Sequence, residues 1–209
     1  ALNDGDLAQS STTYQPRIVN NGVIVKGGDL VKAGDRSRNV LSNPQAAGSG
    51  NGWITNWGNV QDLAIFCVAY PTDTNAYDAW FGCASDGATE RGCVGINDSA
   101  TAPRYLTLRT QDGTSYTELT GTTPITYDTF ALGTAVLKAG PAITSLSLNG
   151  VSQGTLTNWP NKFFNNLRWP GGASGFGPDA AEFLIYQTPP NATDIAAIES
   201  DIINYYGIS

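Results

Sequence analysis

Short apolar runs of strand type recur through the middle of the chain, at residues 23–25, 63–70, 105–108, 130–137 and 143–148. Leu146-Ser147-Leu148 alternates apolar with polar residues, the period of a sheet with one buried face. Residues 63–70 are apolar at both parities, as expected of a central strand covered on both sides. Asp112-Gly113 and Asn149-Gly150 supply hairpin turns, because Asn or Asp followed by Gly tolerates positive φ. The pattern predicts an all-β chain of two packed antiparallel sheets.

The period changes only near the end. Glu182-Phe183-Leu184-Ile185-Tyr186 is a last strand, and Pro189-Pro190 stops it, since proline fixes its own φ and cannot donate to a ladder. Thr193 is a candidate N-cap with Asp194 in the first turn. Ile195, Ile198, Ile202 and Tyr205 then recur at helical spacing until Gly207, which predicts one C-terminal helix over 193–206.

Composition agrees with this reading. At 209 residues and 41% hydrophobic, the chain suits one large all-β domain over 1–209, and its 24 glycines and 11 prolines are spread as turns along the whole length. No fixed-period repeat is present, and no apolar run approaches the roughly 20 residues of a membrane span, so membrane insertion is not expected.

The order of these segments resembles the concanavalin A-like lectin/glucanase superfamily in its laminin G-like form. Gly5-Asp6-Leu7-Ala8-Gln9 and Tyr14-Gln15-Pro16-Arg17-Ile18-Val19 are similar to the opening of versions found in phage virion proteins and bacterial surface proteins. Residues 62–68 look like the family's first central strand, residues 143–151 like its strand and Asn-Gly turn, and residues 182–208 like its final strand and tail. The resemblance implies a jelly-roll sandwich. It also implies an earlier strand before Ala1, so the chain is expected to be the C-terminal part of a longer one.

Charge and chemistry narrow the function. Eleven Lys and Arg against 18 Asp and Glu leave a net charge of -7, which lacks the basic field that attracts a phosphate backbone; nucleic acid is not an expected partner. Arg91, Arg104 and Arg109 can form a local basic pocket or stand in ordinary ion pairs at strand edges. The absence of His removes imidazole-based triads. A glycosidase needs only two carboxylates, but the Glu-x-Asp-x-x-Glu strand of the laminarinase-like relatives is missing. Glu199-Ser200-Asp201 lies on the expected helix as solvated surface, and Glu118 stands alone. Among the cysteines, Cys67 sits in the continuous apolar strand as a buried thiol, while Cys83 and Cys93 flank a turn that can bring them together as a hairpin bridge.

Sugar rings combine apolar faces with hydroxyl edges, so a lectin site wants aromatic plates bordered by Asn, Asp or Arg. Loop-like segments of that composition run over 51–59, 77–80 and 166–172. They make Trp53, Trp57, Trp80, Arg168 and Trp169 the candidate ligand contacts, against the alternative that such tryptophans anchor a core; Trp159 is assigned to anchoring. Asp86 and Asp98 are candidate calcium ligands that turn formation explains equally, and no other cofactor is implied. The expected function is non-catalytic binding of cell-surface glycan, with the module displayed as a homo-oligomer beside other subunits on a virion (tail fibre, receptor-binding or capsid-decoration protein) or extracellularly on a cell surface. The alternatives are a structural oligomerisation domain of a virion and a divergent glycoside hydrolase.

Overall fold

A computed structural model describes the backbone of residues 19–20, 23–24, 30–33, 38–41, 53–71, 79–84, 91–96, 103–112, 115–159, 164–169 and 179–209. The strands in chain order are β1 (Val19–Asn20), β2 (Val23–Ile24), β3 (Leu30–Ala33), β4 (Arg38–Leu41), β5 (Trp53–Val60), β6 (Leu63–Tyr70), β7 (Ala79–Ala84) and β8 (Arg91–Ile96). They continue as β9 (Tyr105–Asp112), β10 (Ser115–Pro124), β11 (Ala131–Leu137), β12 (Thr144–Leu148), β13 (Val151–Leu156), β14 (Phe164–Trp169) and β15 (Asp179–Tyr186), and the chain closes with α1 (Ala192–Tyr206). Sheet I has six strands in the order β10-β9-β8-β7-β14-β5, and sheet II has seven in the order β13-β12-β11-β6-β15-β4-β3. The recorded strand pairs are antiparallel throughout. The expected all-β two-sheet architecture with a C-terminal helix is therefore the observed one.

The double-sided apolar run at β6 has a direct cause. Leu63, Ile65, Cys67 and Ala69 enter the core between the sheets, whereas Ala64, Phe66, Val68 and Tyr70 enter a second apolar layer on the outer side of sheet II. α1 closes that layer with Ile202 and Tyr206, and the Phe130 ring meets Tyr206 at 5.2 Å and Tyr70 at 5.3 Å between centroids. Burial on both faces excludes water from Cys67 and pushes its thiol well above the ordinary range. Trp80 bridges the sheets: an added Cβ at Gly133 on β11 would lie 3.0 Å from its indole ring, a tight contact that a glycine avoids. At the sandwich edge Gln153 on β13 accepts from the Thr122 and Thr123 backbone at 3.0 and 2.8 Å, which ties sheet II to sheet I.

Local chemistry follows the sequence with two corrections. Asn149 (φ 53°) and Gly150 (φ 75°) make the expected tight turn between β12 and β13. Gly207 ends α1 in the left-handed region, its N–H bonded to the Ile203 carbonyl. The N-cap, however, is Asn191 rather than Thr193, because its Oδ1 reaches the Asp194 N–H at 3.0 Å while its amide donates to the Asp194 carboxylate at 2.7 Å. Glu199 is also not solvated surface: it is 8% exposed and accepts a hydrogen bond from the Ser147 hydroxyl on β12.

Candidate functional site

Sheets built by alternation have an inner and an outer face, and register decides which residue belongs to which. In sheet I, Leu106 and Leu108 are fully buried in the core between the sheets. Leu108 pairs with Leu119 and Val94, and Val94 with Phe81, so these positions define the inner face. The intervening positions define the outer face, and their registers run unbroken across the sheet. One row is Tyr116, Gln111, Arg91, Ala84, Asn166 and Asn56; the next is Glu118, Arg109, Cys93, Gly82, Arg168 and Ile54. A third, shorter row is Thr120, Thr107 and Gly95.

This face has a simple chemical plan. Gly82, Ala84, Cys93 and Gly95 give its centre small residues on β7 and β8. Gln111 and Arg109 on β9 flank the centre on one side, and Asn166 and Arg168 on β14 on the other. With strands about 4.8 Å apart, the backbones of β9 and β14 stand about 14 Å from each other. At the near edge Arg109 donates from Nε and Nη2 to Glu118 Oε2, both at 2.7 Å, and Thr120 donates to Glu118 Oε1 at 2.7 Å. Arg104 is 3% exposed and takes no part in a surface basic pocket.

The residues anticipated as contacts divide. Trp80 is corrected outright: it lies on β7 rather than in a loop and is 0% exposed between the sheets, where the glycine at 133 makes room for it. The segments around Trp53, Trp57, Arg168 and Trp169 are likewise strands, β5 and β14, not loops. Trp53 and Trp169 are direct cross-strand partners, and the register path Phe81, Cys83, Leu167 assigns both positions to the inner-face parity, while Arg168 takes the outer. Trp57 falls where the β5–β14 register shifts. Asp86 and Asp98 lie outside the described residues, and no cluster of three potential metal-ligating side chains occurs among the described ones. In the register Cys83 pairs with Gly92 and Cys93 with Gly82, so the two positions fall on opposite parities, and their side chains lie outside the described ones. The outer-face rows were missed because their polar and small residues are scattered over six strands; only register assembles them.

A concavity of about 460 Å³ lies between β15 and α1, lined by Glu182, Leu184, Ile198, Asp201, Ile202 and the adjacent Tyr205 and Tyr206. Its floor is the apolar helix–sheet seam, with a carboxyl group from each element at the rim.

No protein-family model and no curated protein matches the sequence. The fold is similar to solved structures at low identity. The binding domain of Paraclostridial Mosquitocidal Protein 1 superposes with a TM-score of 0.59 at 13% identity, covering 84% of this chain and 46% of that one. Domain 4 of AbnA, an extracellular arabinanase of Geobacillus stearothermophilus in complex with arabinotriose, gives 0.56 at 13% identity over 83% and 82%. The CBM40 of Ruminococcus gnavus IT-sialidase bound to α2,3 sialyllactose gives 0.54 at 13% identity over 67% and 83%. These likenesses establish the two-sheet jelly-roll fold.

Proposed function

We propose that the chain is a non-catalytic glycan-binding module and that the outer face of sheet I is its binding surface. The observation that carries this reading is the unbroken pair of cross-strand rows in which amides and arginines flank a centre of Gly82, Ala84, Cys93 and Gly95. Small residues let a ring approach the sheet closely, and planar amide and guanidinium groups at the walls match the donor and acceptor pattern of vicinal hydroxyls. Similarly folded domains in complex with arabinotriose and with sialyllactose support the same class of ligand for this chain. Among the described residues no helix is long and apolar enough to cross a membrane, which fits a domain presented to external sugars. The resemblance of residues 5–19 to phage virion and bacterial surface proteins favours display in many copies, where avidity offsets a weak single site.

The test is a glycan-array screen of a multimerised protein, repeated with Ala84→Trp, which fills the centre of the face. Binding that is present in the parent and lost in a folded Ala84→Trp supports the assignment. Binding that survives the substitution moves the site elsewhere, and a blank array rejects the reading. A divergent hydrolase is the second reading, because Glu182 and Asp201 rim one groove. The apolar floor of that groove suits sugar hydroxyls poorly, so no release of reducing ends from bacterial or plant polysaccharides is expected. Turnover abolished by Glu182→Gln would reverse the order of the two readings.

A further inference from the structure

α1 lies over β11 and the β12–β13 hairpin, where Ile203 reaches Gly150 and Glu199 takes the Ser147 hydroxyl. Beside β15 that placement leaves the groove whose floor includes Leu184, Ile202 and Tyr206. Tyr205, 60% exposed and edge-on to Tyr206 at 5.0 Å between centroids, adds an accessible aromatic ring. The volume of about 460 Å³ falls within the range of small-ligand sites, about 300–1,000 Å³.

The charge of this groove is one-sided. β15 and α1 together carry five acids, Asp179, Glu182, Asp194, Glu199 and Asp201, and no lysine or arginine occurs between Arg168 and Ser209. Asp194 is held by Asn191 and Glu199 by Ser147, whereas Glu182 and Asp201 at the rim have no hydrogen-bonding or ionic partner among the described residues. The last turn of α1, which supplies Tyr205 and Tyr206, also lacks a basic residue, so the negative end of the helix dipole adds to the same field. A bare metal ion gains nothing from an apolar floor. A cation on an aliphatic stem uses both parts, with the stem packed on the floor and the head among the carboxylates and the tyrosine ring.

We propose that this groove docks a basic segment of a partner protein, an arginine or lysine flanked by apolar residues, with Glu182 and Asp201 receiving the cationic head. The site lies apart from the outer face of sheet I and does not depend on what that face binds.

The test titrates the full chain with short fluorescein-labelled peptides in which arginine alternates with leucine, against isosteres that carry citrulline in place of arginine. The arginine peptide binds about tenfold more tightly, the combined effect of two partly exposed ion pairs, and added salt narrows the gap. Glu182→Gln or Asp201→Asn alone lowers the ratio to about threefold, and the double variant brings it to about one without changing citrulline binding. Tyr205→Ala weakens both peptides. Asp62→Asn, which removes an exposed acid just before β6, leaves the ratio unchanged. Thermal unfolding confirms each variant as folded. Equal binding of the two peptides overturns the cationic occupant, and a ratio that falls equally in Asp62→Asn replaces the site with general attraction to an acidic protein. Binding of neither peptide overturns the docking surface. A concentration-dependent dimer in analytical ultracentrifugation that Glu182→Gln abolishes overturns the separate partner in favour of a second copy of the chain.

Discussion

The two sheets treat their outer faces in opposite ways. On sheet II the outer face is apolar, with Phe66, Val68, Phe130 and Leu132 sealed by α1, and its charged residue Glu199 is turned to internal use against Ser147. On sheet I the outer face carries amides, arginines and glycines, and α1 packs on the other side of the molecule. Burying an apolar face stabilises the fold by roughly 25 cal/mol per Å², so a sheet sealed on both sides is devoted to stability. A sheet that seals one face and arranges polar groups in register on the other offers that second face for recognition, although Thr107 in its third row is itself buried at 5% exposure. The contrast teaches where to look for function when no single motif announces it: at the sheet face whose register rows are polar rather than apolar.

The sharpest way to break the contrast is to substitute matched residues on each side of it. Trp80→Ala should have the largest effect, a loss of about 3–5 kcal/mol in denaturant unfolding, because the fully buried indole joins both sheets and leaves a cavity against Gly133. Ile202→Ala in the α1 layer should cost about 2–4 kcal/mol and leave glycan binding of the folded fraction unchanged. If Ile202→Ala abolished binding without unfolding the chain, the functional surface would belong to sheet II and the contrast would be inverted.

A finer comparison sets one asparagine against another. Asn191→Ala removes the cap of α1 and should cost about 1 kcal/mol in stability, with no change in binding. Asn166→Ala, on the outer face of sheet I, should stay within about 0.5 kcal/mol of the parent in stability yet weaken glycan binding severalfold. Equal behaviour of the two variants in both assays would remove the distinction between a structural and a recognising face.

How much of this was legible in the sequence follows from the range of each signal. Strands β6, β11 and β12, the Asn149-Gly150 turn and α1 were readable because hydrophobic period and turn chemistry are local. The N-cap was misplaced by two residues since Asn191 and Thr193 are both competent, and tertiary geometry selected Asn191. Glu199 looked solvated because a helical wheel does not reveal that β12 presents Ser147 to it. Trp80 was misread for a related reason: an aromatic residue in polar company was taken for a loop plate, whereas it is a core bridge. The polar rows of the outer face draw on β5, β7, β8, β9, β10 and β14, and no strand supplies more than three of their members.

The smallest effect, and the most selective, is expected at Glu118. Its carboxylate holds Arg109 through Nε and Nη2 and is itself braced by Thr120, with the two side chains of the ion pair 27% and 31% exposed. Pairs this accessible contribute about 0–1 kcal/mol, so Glu118→Gln should barely move the unfolding midpoint. Its effect on recognition has a definite sign. The substitution removes the only acid in the described rows of the outer face and leaves Arg109 less fully neutralised beside Cys93 and Gly82. Binding of an acidic oligosaccharide should therefore strengthen by a few-fold at low salt, while binding of its methyl ester stays the same and the gain fades as salt is raised. A Glu118→Gln variant that bound both members less well would show that Glu118 is itself a sugar contact, accepting hydroxyls, and would shift the recognising centre from β7 and β14 towards β9 and β10.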